Sequence, residues 1–390
     1  MMNKSIPRDK KNDYSAEVIG TRHEFIVEKT GKGVDHLCQY SFDPSITSGN
    51  IENFIGVAQI PVGLAGPLVV NGEHAQGEFY VPLATSEGTL IASYNRGMRL
   101  FRECGGIKVT VVDDVMQRAP VFIFDDARQA RDFGIWIDEN FDEIKKAAES
   151  STKSGKLRNI EQYAASCMRH LRFNFTTGDA AGQNMVSKAT FFACEWIKTH
   201  YPPLRRYLLS GGMDTDKKHS AINVLHSRGK RVVAEAVIPS DILKRIMGVT
   251  TEKLYAAKPF ILAGNQMAGS INNGAHSPNG LAALFIACGQ DVANVAESSA
   301  GIAVTDLDDD GNLYMSMTIP SLIVATYGGG TGLATQRECL EMLDCYGEGK
   351  AKKFAEIVGA TILAGEISLA SAIMAGDWVS SHDQYGRNRT

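Results

Sequence analysis

Residues 359–376, GATILAGEISLASAIMAG, narrow what this chain can fold into more than any other stretch. The run is nearly long enough to cross a bilayer, but Glu366 interrupts it. Its glycine, alanine and serine content suits a helix packed tightly inside protein better than one facing lipid. Such a helix needs a large apolar surround, and 390 residues with 44% hydrophobic and 22% charged content can supply it. By size scaling a chain of this length buries roughly three-quarters of its unfolded surface, and its length predicts two or three domains. The formal net charge of −4 argues against broad electrostatic binding to nucleic acid or an anionic membrane, while leaving room for a local basic pocket. Seven scattered cysteines, an odd number with no Cys-x-x-Cys pair, predict reduced thiols in a cytosolic protein rather than zinc or disulfides. The polar, basic N-terminus lacks the apolar segment of a secretory signal.

Along the chain, residues 1 to about 50 predict a small helical lead-in. From Asn53 valine, isoleucine, glycine and proline dominate, and Asn71-Gly72 between apolar runs predicts a β-hairpin closing near Tyr80 to Leu83. Thr85 and Ser86 are cap candidates for a following helix that ends on Gly105 and Gly106. Between about 107 and 205, strands at IKVTVV, PVFIF and RHLRFNF alternate with helices over 126–149 and 184–200, separated by a polar loop, SSTKSGKLRN. This reads as a compact α+β unit inserted in a larger domain. Beyond it come a strand at KRVVAEAVIP, one long helix over 279–297, a strand pair at LYMSMTIP and SLIVATY, and helices over 333–343 and 350–375.

The Rossmann fingerprint is absent: His36 stands where a third glycine should follow Gly31 and Gly33, and Leu333 stands three places after Gly330. Asp306, Asp308 and Asp310 before Gly311 open like a calcium loop, but its twelfth position is Met317, so an acidic hairpin turn is predicted. In FTTGDAAGQNMVSK (175–188), glycines and Asp179 sit between a strand and a helix. That is either a tight turn or a helix N-terminus able to take a pyrophosphate. SGGMDTDKK (210–218) is either a solvated loop or a place where a lysine meets an oxyanion. Asp291, read as lying within the apolar helix GLAALFIACGQDVANVA, needs a partner or a shifted pKa, as a structural or a functional acid. Glu87, at a turn of small residues, and His382, near the C-terminus, carry no decision alone.

Together, ENFIGVAQIPVGLAGPL (52–68), PLATSEGTLIASYNRG (82–97), TGDAAGQNMVSK (177–188), TDKKHSAINVLHSRGKRVVAEAVIP (215–239), MAGSINNGAHSPN (267–279), IACGQDVANV (286–295) and YGGGT (327–331) resemble, in order, the 3-hydroxy-3-methylglutaryl-CoA reductases of the class that includes eukaryotic and archaeal enzymes. The resemblance runs from about 50 to 382. It implies an α+β fold: a large mixed α/β domain for CoA and substrate (52–119 and 209–390), an inserted ferredoxin-like, non-Rossmann NADP-binding domain (120–208), and a helical N-terminal segment (1–51). It implies NADPH-dependent reduction of hydroxymethylglutaryl-CoA to mevalonate in two hydride transfers, with release of CoA. The implied enzyme is a cytoplasmic homodimer or tetramer with active sites between subunits and no metal, nucleic acid or membrane anchor. The alternatives are an NAD-preferring enzyme of oxidative mevalonate degradation and a catalytically silent CoA-binding homologue.

On this resemblance Lys217 meets the thioester oxygen as it becomes negative, and His382 protonates the departing CoA thiolate. Glu87 gives a proton to the aldehyde oxygen, its pKa raised by a neighbouring Asp291, with Lys217 between the two acids. Arg118, Ser210, Asp216, Lys218 and Asn279 are implied for the substrate's carboxylate and hydroxyl. Ser93, Asn95, Arg96 and Arg99 are implied for CoA, with His276 nearby. Asp179, Ala181, Gly182, Gln183 and Asn184 are implied for the cofactor, with Gly328, Gly329, Gly330 and Thr331 close to it. Three positions depart from the family pattern. Ser154 stands where many relatives carry an arginine for the NADPH 2′-phosphate, flanked by Lys153 and Lys156 as substitutes, so NADH stays open. Lys258 is two residues early for a substrate lysine, and Gly248 replaces a CoA-contacting lysine.

Overall fold

The structure is a computed structural model describing residues 5–270 and 272–376, so His382 lies outside the described residues. The lead-in forms α1 (Ala16–Thr30), started by the Ser15 hydroxyl on the Val18 N–H and closed by Gly31 in the left-handed region. The hairpin is β1 (Val62–Gly72) and β2 (Gln76–Ala84), in antiparallel register from Val62 opposite Ala84 to Asn71 opposite Gln76. Then come α2 (Leu90–Glu103), β3 (Ile107–Arg118), β4 (Val121–Ile123), α3 (Ala127–Glu139), α4 (Phe141–Glu149), β5 (Lys156–Ala165), β6 (Met168–Thr176), α5 (Gln183–His200) and β7 (Arg206–Leu208). The second half holds α6 (Ala221–Leu225), β8 (Gly229–Ile238), α7 (Ser240–Met247), α8 (Thr251–Met267), α9 (Ser277–Ala287), α10 (Val295–Ser298), β9 (Ile302–Leu307), β10 (Leu313–Leu322), α11 (Ala334–Met342) and α12 (Ala351–Ala375).

Strands β2, β1, β3, β8, β10 and β9 lie side by side, with β1 parallel to β3 and the other pairs antiparallel. Strands β7, β4, β6 and β5 form a second antiparallel group whose chain order, β-α-β-β-α-β, is ferredoxin-like. The far end of β3, Met116 to Arg118, pairs with β6 and joins the two groups. Apolar side chains bury in two clusters: one around the hairpin, α2, α9 and α12, the other around Phe122, Phe133, Phe173, Phe175 and Val186.

The segment 359–376 shows why its composition is so unusual. Among the described residues α12 alone is long and apolar enough to cross a membrane, and 78% of its apolar window is buried inside the protein. A Cβ on Gly97 would run into the Ala364 carbonyl, and one on Gly365 would meet the Tyr94 ring, so small residues are what let α2 approach. Glu366 accepts the N–H groups of Ala275 (2.9 Å), His276 (2.8 Å) and Ser277 (2.7 Å) and the Ser277 hydroxyl (2.7 Å). A buried carboxylate is tolerable only when its oxygens are satisfied in this way. It thereby secures the start of α9.

Several local expectations are corrected. Thr85 and Ser86 do not cap α2, whose N-cap is Thr89; the Thr85 hydroxyl accepts the Glu87 N–H instead. The helix over 126–149 is two helices broken at Asn140, whose side chain donates to the Trp136 carbonyl and competes with the backbone there. The loop SSTKSGKLRN turns into β5 at Lys156. The long helix over 279–297 stops at Ala287, because Gly289, at φ +66°, passes so close to Gly330 that a Cβ would meet its carbonyl. Asp291 therefore lies outside any α-helix, exposed, and accepts the Ala293 N–H at 3.1 Å. SLIVATY is not a second strand: β10 ends at Leu322, since the Ile323 and Ala325 N–H groups go to the side chains of Ser298 and Gln290.

Candidate active site

The loop 210–218 is built around charge. It leaves β7, and its Gly211 N–H donates to the Ala119 carbonyl at 2.7 Å. Thr215 (φ +53°) and Lys217 (φ +54°) are held in the left-handed region, which costs roughly 1–2 kcal/mol per non-glycine residue, so neighbours must fix them. Arg118, at the end of β3, donates to Asp214 at 2.7 Å and lies 3.7 Å from Asp216, while the Ser210 hydroxyl donates to Asp214 at 2.9 Å. Arg228 is fully buried and donates to Asp216 (2.6 Å), to Glu297 (3.4 Å) and to the Gln117 carbonyl (3.1 Å). The Lys218 N–H donates to Glu297 at 3.2 Å, and the Lys218 ammonium to the Asp216 carbonyl at 3.0 Å.

From this frame Lys217 projects outward and meets Asp291, Nζ to Oδ2, at 2.8 Å, with the two side chains 44% and 42% exposed. The hydrogen bond to Asp291 pushes the Lys217 pKa up, so the ammonium stays charged. Burial pushes the Glu297 carboxyl up to about 7, with the Arg228 charge opposing it.

Beside the loop lies a cleft of about 410 Å³, lined by Ala181, Gly182, Gln183, Asn184, Met185, Gly289, Asp291, Asn294 and the glycine run Gly328 to Gly330 with Thr331. Its wall is the start of α5, where the N-cap is Gly182 (φ +82°) and no side chain caps the first turn. Those N–H groups and the helix dipole favour an anion. Ser154, in the loop that carries Lys153 and leads into β5 at Lys156, donates to the sulfur of Met185 at 3.4 Å, which sets this loop against the cleft. Lys156 itself pairs with Glu149 at 3.2 Å. Asp179 does not line the cleft: its carboxylate accepts the Gly349 (2.7 Å) and Ala351 (3.1 Å) N–H groups at the start of α12.

Apart from the loop and the cleft, α2 presents Ser93, Asn95, Arg96 and Arg99. The Ser93 hydroxyl lies 3.1 Å from His276 Nε2 and from the Ser368 hydroxyl, and Arg96 donates to the Ser368 carbonyl at 2.7 Å. Asn95 accepts the Gly66 N–H at 3.0 Å, and Arg99 pairs with Glu103 at 3.6 Å. His276 stacks on Tyr94 with ring centroids 4.7 Å apart, and burial pushes its pKa down to about 4. The amide of Asn279 goes to His276 Nδ1 at 3.1 Å, so Asn279 groups with this face rather than with the loop. Lys258 donates to the Thr305 carbonyl at 2.8 Å.

The fold thus brings together Arg118, Ser210, Asp216, Lys217, Lys218 and Asp291. The expected pairing of Asp291 with Glu87 is not made within the chain. Glu87 is exposed at the end of the hairpin, and among the described residues no hydrogen bond or ion pair joins it to Lys217 or Asp291. Sequence reasoning missed Asp214, Arg228, Asn294 and Glu297.

Comparison with known proteins identifies the family. Residues 18–387 match the family model described as hydroxymethylglutaryl-coenzyme A reductase. The chain is similar to the 3-hydroxy-3-methylglutaryl-coenzyme A reductase of Pyrococcus horikoshii, 44% identical over 374 residues covering 94% of this chain and 91% of that one. It is also similar to that of Methanocaldococcus jannaschii, 45% identical over 379 residues covering 94% and 92%. In fold it resembles the class II 3-hydroxy-3-methylglutaryl-CoA reductase of Streptococcus pneumoniae, solved bound to NADPH in open conformations, with a TM-score of 0.68 at 20% identity, covering 92% of this chain and 93% of that one. By sequence, the chain belongs to the hydroxymethylglutaryl-coenzyme A reductase family of oxidoreductases.

Proposed function

We propose that the chain reduces the thioester of hydroxymethylglutaryl-CoA to mevalonate with NADPH as donor and CoA as the released product. The observation that carries the reading is Asp291, which lines the cleft and also holds the Lys217 ammonium at 2.8 Å. A permanent cation therefore stands at the rim of a site suited to a dinucleotide. The cleft fits such a cofactor: glycines at φ +82° (Gly182), +79° (Gly328) and +56° (Gly329) free backbone N–H groups for phosphate oxygens. Ala181, Gln183, Asn184, Gly330 and Thr331 would contribute to holding it, with Lys153 and Lys156 near its phosphates. When bound, it supplies hydride.

Conversion of a thioester to an alcohol and a free thiol takes up two hydrides and two protons. Lys217 donates a hydrogen bond to the thioester oxygen as negative charge gathers there, and Asp291 fixes its direction. Arg118, Ser210 and Lys218 offer donors for the substrate's free carboxylate and hydroxyl. Glu87 is assigned the proton of the second reduction and His382 that of the thiolate. Glu87 would reach Lys217 across an interface between two copies of the chain. In support, Val62, Leu64 and Tyr80 of the hairpin beside Glu87 are exposed, as are Phe260, Ile261 and Met267 of α8. Ser93, Asn95, Arg96, Arg99 and His276 form the CoA side, and the seven unpaired cysteines fit a cytoplasmic setting.

Oxidation of NADPH and of NADH, followed separately with hydroxymethylglutaryl-CoA, tests the reading. Faster NADPH oxidation is expected. Oxidation of neither would leave only a CoA-binding homologue, and a strong NADH preference would move the cofactor assignment and favour the oxidative direction.

A further inference from the structure

The short segment 291–297 grips the lysine loop directly at two points and, through Gln183 of α5, at a third. Asp291 takes the Lys217 ammonium at 2.8 Å. Asn294 accepts Gln183 Nε2 at 2.9 Å, and the same nitrogen lies 3.3 Å from Asp216. Glu297 accepts the Lys218 N–H at 3.2 Å and the Arg228 Nε at 3.4 Å, while Arg228 turns its other arm to Asp216 at 2.6 Å. Glu297 and Arg228 have no exposed side-chain surface, so neither can touch substrate. Yet they close a ring, Glu297–Arg228–Asp216 and back through the Lys218 amide, around the one residue that must aim its ammonium. Lys217 sits at φ +54°, a conformation a lysine does not keep unless its surroundings impose it.

We infer that Glu297 is a positioning residue, which through Arg228 and the Lys218 amide holds Lys217 in the left-handed conformation that presents its ammonium to Asp291. This rests on the proposed reduction for its kinetic consequence but not for its structural one. A buried acid serves here because a partner guanidinium in low dielectric gives a stiff, directional contact that a solvated pair at the loop surface would not. Gln183 extends the same device to the wall of the cleft.

The test compares wild type with Glu297→Gln at pH 8.5, where the Glu297 carboxyl is ionised; the substitution keeps size and an acceptor but removes the charge on one of the two carboxylates that hold Arg228. Amide hydrogen exchange is read over 210–220 and over α12 as an internal control, alongside kcat and KM. The expected result is exchange in 210–220 faster by about tenfold with α12 unchanged, and kcat lower by about tenfold with KM for hydroxymethylglutaryl-CoA within about threefold of wild type. Arg228→Lys, which keeps the charge but loses the fork, is expected to give the same pattern and replaces the first variant if that one does not fold. Unchanged exchange in 210–220, or acceleration spread evenly over the chain, overturns the positioning role. Because exchange is read without substrate, an inactive wild type would count against the reduction alone.

Discussion

The cleft at the start of α5 and the loop at 210–218 meet at Gln183 but are held by different forces. The cleft is made of backbone: glycines at positive φ, an uncapped helix start, and the close passage of Gly289 by Gly330. The loop is made of side-chain charge, with Arg118 and Arg228 against Asp214, Asp216 and Glu297. A backbone site offers many weak, similar donors and suits a large ligand that binds and leaves. A charge-built site fixes one ammonium in one place, which is what a developing oxyanion requires.

The sharpest way to separate the two is Lys217→Ala. It is expected to lower kcat by about 10²–10³-fold with the KM for NADPH unchanged, as for loss of a single oxyanion donor. Turnover near normal would break the assignment of chemistry to the loop. A second contrast is the buried His276, neither backbone nor charge. Burial holds its pKa at about 4 against 6.5 for a free histidine, so between those values the unfolded chain takes up a proton that the folded chain does not. Stability therefore falls as pH drops through that window, by up to roughly 3 kcal/mol. Urea midpoints at pH 7 and 4.5 should converge between wild type and His276→Gln at the lower pH; parallel shifts would contradict the burial argument.

For the cleft, Gly182→Ala places a Cβ against Thr177 at a position of φ +82°. It is expected to raise the KM for NADPH by about tenfold while kcat at saturation changes little. An equal loss in kcat would mean that the cleft and the loop are not separable. The smallest effect belongs to the exposed lysines. Lys153→Ala and Lys156→Ala are each expected to raise the KM for NADPH by about two- to fivefold and leave that for NADH unchanged, since only the former carries a 2′-phosphate.

The same division explains what the sequence made legible. Glycine requirements are local, so TGDAAGQN and YGGGT mark the cleft without knowledge of the fold, and Glu366 betrays the buried helix because a charge there is anomalous. The charge frame of the loop is not local. Arg228 and Glu297 stand 69 positions apart, and each alone is an ordinary charged residue. Asp291 was read into a helix because the apolar run before it is helical, and only the tertiary contact of Gly289 with Gly330 stops that helix. Asp179 looked like a ligand of the cleft from its place in the motif, yet the start of α12 takes its oxygens. Membership of the family was legible throughout. The partners that aim its lysine were not.

The most direct measurement is stoichiometric: NADPH consumed against free thiol released, in one reaction with limiting hydroxymethylglutaryl-CoA. Two NADPH per thiol is the predicted ratio for reduction through to the alcohol. A ratio of one, stopping at the aldehyde, or thiol release without NADPH consumption, would contradict reduction of the thioester through to the alcohol.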